Sequence, residues 1–177
     1  MSKLVNFVLF QVGWLVCVIA GSVPDSRIAV LYSSVFLLTH FWYSNSRRTD
    51  FRLVITALLV GLVLDSFWPA MGWLVFNEQL AEQTAPVWIL CLWVNFALVL
   101  NHSLAWMQTK LGMAAAFSAI GGPLSYYAGE RFGALVWLDT PALLAGLAIA
   151  WALVVPGLLL LARIWHQQEK EQQNALA

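Results

Sequence analysis

The chain has 177 residues, 61% of them apolar, 14% aromatic and only 10% charged. Soluble domains run near 45–50% apolar and about 25% charged, so this composition excludes an ordinary soluble domain and, equally, a disordered one. Nine basic residues balance nine acidic ones, which leaves no basic surface for nucleic acid. The composition is that of a polytopic membrane protein.

A bilayer core of about 30 Å takes about 20 apolar residues in a helix. Six stretches qualify, predicting an all-α bundle with six transmembrane helices. The first runs from Leu4 to Gly21. Lys3, the apolar run and Ala20-Gly21-Ser22 also fit a cleaved signal peptide, against which stand Asn6, Gln11 and the bulky Trp14. The second runs from Ile28 to Tyr43. The break Ser44-Asn45-Ser46-Arg47-Arg48-Thr49-Asp50 separates it from the third, Leu53 to Trp68. There Asp65 lies roughly 18 Å along the helix from Leu53, at a depth where a carboxylate needs a partner. It serves either a proton or substrate site, or a structural hydrogen bond near the outer surface.

Residues 69–85 are too polar to span; they form either a short helix in the outer interface or a plain loop. The fourth span, Val87 to Met107, repeats Trp88, Asn95 and His102 every seven residues, which keeps them on one face. Asn95 and His102 are either interhelical hydrogen-bonding groups or site residues. His40 of the second span lies at a similar depth to His102. This pair lacks a third ligand, so no metal and no cofactor is expected.

The fifth span, Leu111 to Gly129, carries the small residues Ala114, Ser118, Gly122 and Gly129, a face for close helix packing. Gly121-Gly122-Pro123 predicts a kink or break there, and Tyr126 and Glu130 share a face just beyond it. The sixth span runs from Ala142 to Ile164. It completes a transmembrane domain over residues 1–165. Residues 166–177 form a polar tail that extends the last helix briefly and then frays. Cys17 and Cys91 lie within spans and read as packing residues. No repeat relates the first three spans to the last three.

With the N-terminus in the cytoplasm, Lys3, Arg47, Arg48, Arg52, Lys110, Arg163 and Lys170 fall inside, and Arg27 and Arg131 outside. Seven against two sets the orientation and returns the C-terminus to the cytoplasm. No phosphate loop, nucleophile elbow, metalloprotease helix or dinucleotide fingerprint is present.

Asn6-Phe7-Val8-Leu9-Phe10-Gln11-Val12-Gly13-Trp14, Gly61-Leu62-Val63-Leu64-Asp65, Pro86-Val87-Trp88 with Leu92-Trp93 and Phe96, and Gly122-Pro123 with Tyr126 and Gly129 together resemble the bacterial inner-membrane family catalogued as domain of unknown function 2878. The resemblance spans nearly the whole chain and carries no catalytic residue with it. Members are encoded near cyclopropane-fatty-acid-synthase-like methyltransferases, which implies a role in membrane-lipid modification or stress response. Gly61-Leu62-Val63-Leu64-Asp65 followed by Gly72 is also similar to a segment of the rod-shape protein MreD, whose six-helix design is shared with vitamin-binding transporter subunits. The paired alanines by which those subunits dock are missing from the first span here.

Three functions follow as expectations. The first is an accessory protein that binds a lipid, a small amphiphile or another membrane protein. The second is a binding or transport subunit with an outward polar cavity lined by Asp65, Asn95, Tyr126 and Glu130. The third is a lipid-acting enzyme with Asp65 or Glu130 as base. It ranks last because these acids lie on the order of 15 Å from His40 and His102 by helix rise.

Overall fold

The computed structural model describes residues 1–79 and 81–175. It contains α1 (Lys3–Ser22), α2 (Arg27–Tyr43), α3 (Arg47–Ala70), β1 (Leu74–Phe76), α4 (Val87–Leu100), α5 (Leu111–Arg131), β2 (Leu135–Trp137) and α6 (Thr140–Ala175), with a 3-10 turn at Ala105–Thr109. Among the described residues α1, α3 and α6 are long and apolar enough to cross a membrane, and α4 is a shorter apolar helix. Outward-facing side chains are apolar too: Leu4, Leu38, Val63 and Leu153 are each at least 70% exposed. A face that water would not tolerate at this extent is suited to lipid.

α4 is apolar all round and sits innermost, packed by α1, α2 and α3, while α5 packs along α6 and α6 along α3. That is the expected place for a helix with no polar face. Contacts tie the start of α1, the end of α2, the start of α3, the end of α4 and the far part of α6 together at one end, which holds Lys3, Arg47, Arg48 and Lys170. We call it the basic end; the strands mark the other.

Four sequence expectations need correction. Residues 69–85 form neither an interfacial helix nor a plain loop, because Leu74–Phe76 pairs antiparallel with Leu135–Trp137. The fourth helix stops at Leu100 rather than Met107. The carbonyls of Leu98 and Leu100 accept from the Asn6 and Gln108 amides and that of Val99 from the His102 and Leu104 N–H groups, which serves three of the last four acceptors of the helix. Of the kink or break expected at Pro123 the break is excluded, since α5 runs unbroken to Arg131; prolines are tolerated within membrane helices because neighbouring helices and local adjustments satisfy the freed carbonyl. Finally, α6 does not fray soon after Ile164 but stays helical to Ala175.

The strands also disclose a repeat. Gly61, Gly72 and Leu74 recur 61 residues later as Gly122, Gly133 and Leu135. Gly72 and Gly133 both have positive φ, at 70° and 80°, and both close the preceding helix with the same pair of backbone hydrogen bonds: Gly72 N–H to Pro69 O and Trp73 N–H to Trp68 O, Gly133 N–H to Glu130 O and Ala134 N–H to Gly129 O. This is the glycine-terminated helix end in which the left-handed residue turns the chain out. The strands then pair as across a two-fold axis, each central valine, Val75 and Val136, opposite the other. The repeating unit is helix–strand–helix, α3–β1–α4 and α5–β2–α6, which cuts across a comparison of the first three spans with the last three.

Candidate functional site

The repeat sets each of its helix glycines, Gly61 and Gly122, against a tryptophan. A Cβ on Gly61 would overlap the Trp93 ring, and one on Gly122 would overlap Trp151. The two indoles stack on each other, centroids 5.3 Å apart and 16° from parallel. Two glycines of α3 and α5 thus clasp a pair of tryptophans from α4 and α6. One turn beyond each glycine stand Asp65 and Tyr126. Trp93 Nε1–H donates to Asp65 Oδ2 at 2.6 Å, and the Tyr126 hydroxyl donates to Asp65 Oδ1. Asp65 is fully buried. Each of its oxygens has one donor, which is what a carboxyl group at this depth needs.

The other sequence-derived residues disperse. Asn95 is buried and donates to Ser33 Oγ at 3.0 Å, joining α4 to α2. Glu130 accepts from the Trp137 backbone N–H at 3.0 Å and steadies the end of β2. His102 lies past the end of α4, at the basic end. Of the packing face, Ala114 is buried, Ser118 Oγ–H donates to Trp151 O at 2.8 Å, and Gly122 with buried Pro123 lies against α6. Gly129 packs on Leu135, whereas Gly121 is exposed with open space around it.

Between α1, α4 and α5 lies a cavity of about 660 Å³, within the range of ligand sites. Phe7, Phe10 and Trp14 wall it on one side, Phe117, Gly121 and Ser125 on the other, and Leu92, Phe96 and Trp151 behind. The Trp14 Nε1–H to Ser125 Oγ hydrogen bond, 3.0 Å, bridges α1 and α5 across it. Tyr126 reaches its wall, but Asp65, Asn95 and Glu130 do not. The partly exposed Phe7, Phe117 and Leu124 mark its open flank.

A second constellation escapes the sequence reading because Asp50 sits in what looks like a loop. α3 begins at Arg47, which turns Asp50 inward on its first turn and buries it completely. His40 Nε2 and His102 Nε2 both lie 3.0 Å from Asp50 Oδ2. Ser44 Oγ–H donates to the same oxygen at 2.5 Å, and Asn101 Nδ2–H to Oδ1 at 3.3 Å. His40 Nδ1 has no hydrogen-bond partner. Asn6 holds the turn that carries His102, accepting from Ser103 N–H as it donates to Leu98 O. The third histidine of the chain, His166 of α6, stands beside the cluster with Nδ1 2.9 Å from Ser46 Oγ. One turn on, Glu169 accepts from the Arg48 and Thr49 backbone N–H groups and caps α3. A cavity of about 350 Å³, lined by His40, His102, His166, Asn101 and Lys170 among others, opens onto this cluster. The available signal was the buried phase of α3: Asp50, Ala57, Gly61 and Trp68 lie along one line of the helix.

No curated protein and no solved structure matches the chain. A family model does: residues 3–157, all but the first two residues and the far part of α6, match the family described as "Protein of unknown function (DUF2878)", and the chain belongs to that family.

Proposed function

We propose that the chain is a multi-pass protein of a bacterial inner membrane, with six spans and both termini in the cytoplasm, that binds the hydrocarbon chain of a lipid or small amphiphile between α1, α4 and α5. Such a protein would serve as an accessory to membrane-lipid modification. The cavity of about 660 Å³ carries this reading. Its walls are aromatic and aliphatic, and its open flank is continuous with the apolar outer faces of α1 and α5, where the surrounding solvent is lipid. A polar solute is disfavoured because Asp65 already has a donor on each oxygen, and neither Asp65 nor Asn95 is part of the lining.

Gly121 gives a clean test. A Cβ there meets no atom within 4 Å, and the residue lines the cavity. Gly121→Phe is expected to keep the thermal stability of the parent while reducing retained lipid several-fold, read by native mass spectrometry after detergent extraction. Equal lipid retention by a stable Gly121→Phe variant would overturn the proposal.

The orientation has its own test. In a background lacking Cys17 and Cys91, which are both buried, a cysteine at Glu82 is expected to react with an impermeant thiol reagent in whole cells. One at Arg47 is expected to stay unlabelled until the cells are opened. The reverse pattern would invert the topology.

A further inference from the structure

We infer that His40, Asp50 and His102 form a binding site for one first-row divalent transition-metal ion, of the zinc class, at the basic end of the bundle. The three residues come from three separate segments, α2, α3 and the turn after α4, and offer two imidazole nitrogens and a carboxylate oxygen all within 4.8 Å of one another. A tetrahedral zinc ion with bonds of about 2.0–2.2 Å spaces its ligands about 3.3 Å apart. Both nitrogens already lie 3.0 Å from Oδ2, near that spacing, and all three ligand atoms fall within 4.8 Å of one another.

Charge points the same way. Asp50 is fully buried, and among the described residues its ion-pair partners are these two histidines, with no lysine or arginine. A buried carboxylate requires compensation, and a divalent cation between it and two imidazoles supplies that. Ser44 Oγ–H on Oδ2 and Asn101 Nδ2–H on Oδ1 fix the carboxylate, as supporting hydrogen bonds do around bound metals. Imidazole with carboxylate suits the iron-to-zinc series. The His102 side chain is 23% exposed and faces the cavity of about 350 Å³. That gives the ion a route in and leaves a fourth position for water or a solute, the arrangement of an open rather than a closed site.

The test uses the full chain in detergent, stripped with a chelator and titrated with Zn²⁺ by calorimetry and with Co²⁺ by visible absorption. One equivalent is expected to bind, with a cobalt band of low-coordinate character. His102→Ala, at the rim of the site, is expected to fold and to weaken binding at least tenfold, and Asp50→Asn to abolish it. Should Asp50→Asn fail to fold, the rim variant decides. Wild-type protein that shows no saturable binding would overturn the assignment, as would His102→Ala with unchanged affinity.

Discussion

Gly61→Leu should cost the bundle about 3–5 kcal/mol. A side chain at this position enters the space held by the Trp93 ring, and overpacking a filled interior costs about 1–3 kcal/mol. Displacing the indole also withdraws its N–H from Asp65 Oδ2. A buried acceptor left without its donor adds about 1–3 kcal/mol. The stack on Trp151 moves as well, which carries the strain to α6 and Gly122. Differential scanning fluorimetry and the monodisperse yield in detergent measure this. Gly112→Ala and Gly157→Ala are the controls, since both add a methyl group to open space. Each should raise stability by up to about 1 kcal/mol through helix propensity. A Gly61→Leu protein melting with the parent would mean that Trp93 does not lie on α3.

Asp65 provides the second large effect, and its two substitutions should diverge. Asp65→Ala strands the Tyr126 hydroxyl and the Trp93 N–H in an interior that offers no water. At about 1–3 kcal/mol for each unsatisfied group, the loss should be about 2–5 kcal/mol. Asp65→Asn keeps the shape. Its carbonyl oxygen accepts from Trp93 and its amide donates to the tyrosine oxygen, so the change should stay within about 1 kcal/mol. Thermal melts of both variants in one detergent settle the matter. Tolerance of alanine would show that water reaches the carboxyl group.

Most of the architecture was legible because lipid-length apolar runs announce themselves. Three of the six helices, α1, α2 and α5, begin and end within two residues of their apolar stretches, whereas α3 starts earlier, α4 stops earlier and α6 runs further than theirs; Ser118 and Gly122 of α5 meet Trp151 of α6. What stayed hidden has physical reasons. β1 and β2 have three residues each, too few for a period of two to show, and their paired residues are 59 to 63 positions apart. The repeat survives in glycine spacing and strand identity, while its helices have diverged in the side chains that face lipid. Asp65 and Tyr126 both carried visible signals, but only folding shows that each satisfies the other. Asp50 was concealed by its company: serines, arginines and a threonine before Phe51 read as a connection. The side chain of Glu169, from the far end of the chain, caps those residues as the first turn of α3.

The two helix–strand–helix units behave as a dimer joined into one polypeptide. In a true symmetric pair of identical chains, a residue on the axis faces its own copy: an aspartate would meet an aspartate, a tyrosine a tyrosine. Here equivalent positions carry Asp65 and Tyr126, an acceptor opposite a donor. Two identical chains could not do this, whereas the two halves of one chain can each carry their own residue. The same freedom accounts for an uneven perimeter. α6 lies along α3, whereas the corresponding junction of α4 with α5 stands open as the groove. The same two-fold scaffold is thus closed on one side and open on the other, an asymmetry that a pair of identical subunits related by a two-fold axis does not have.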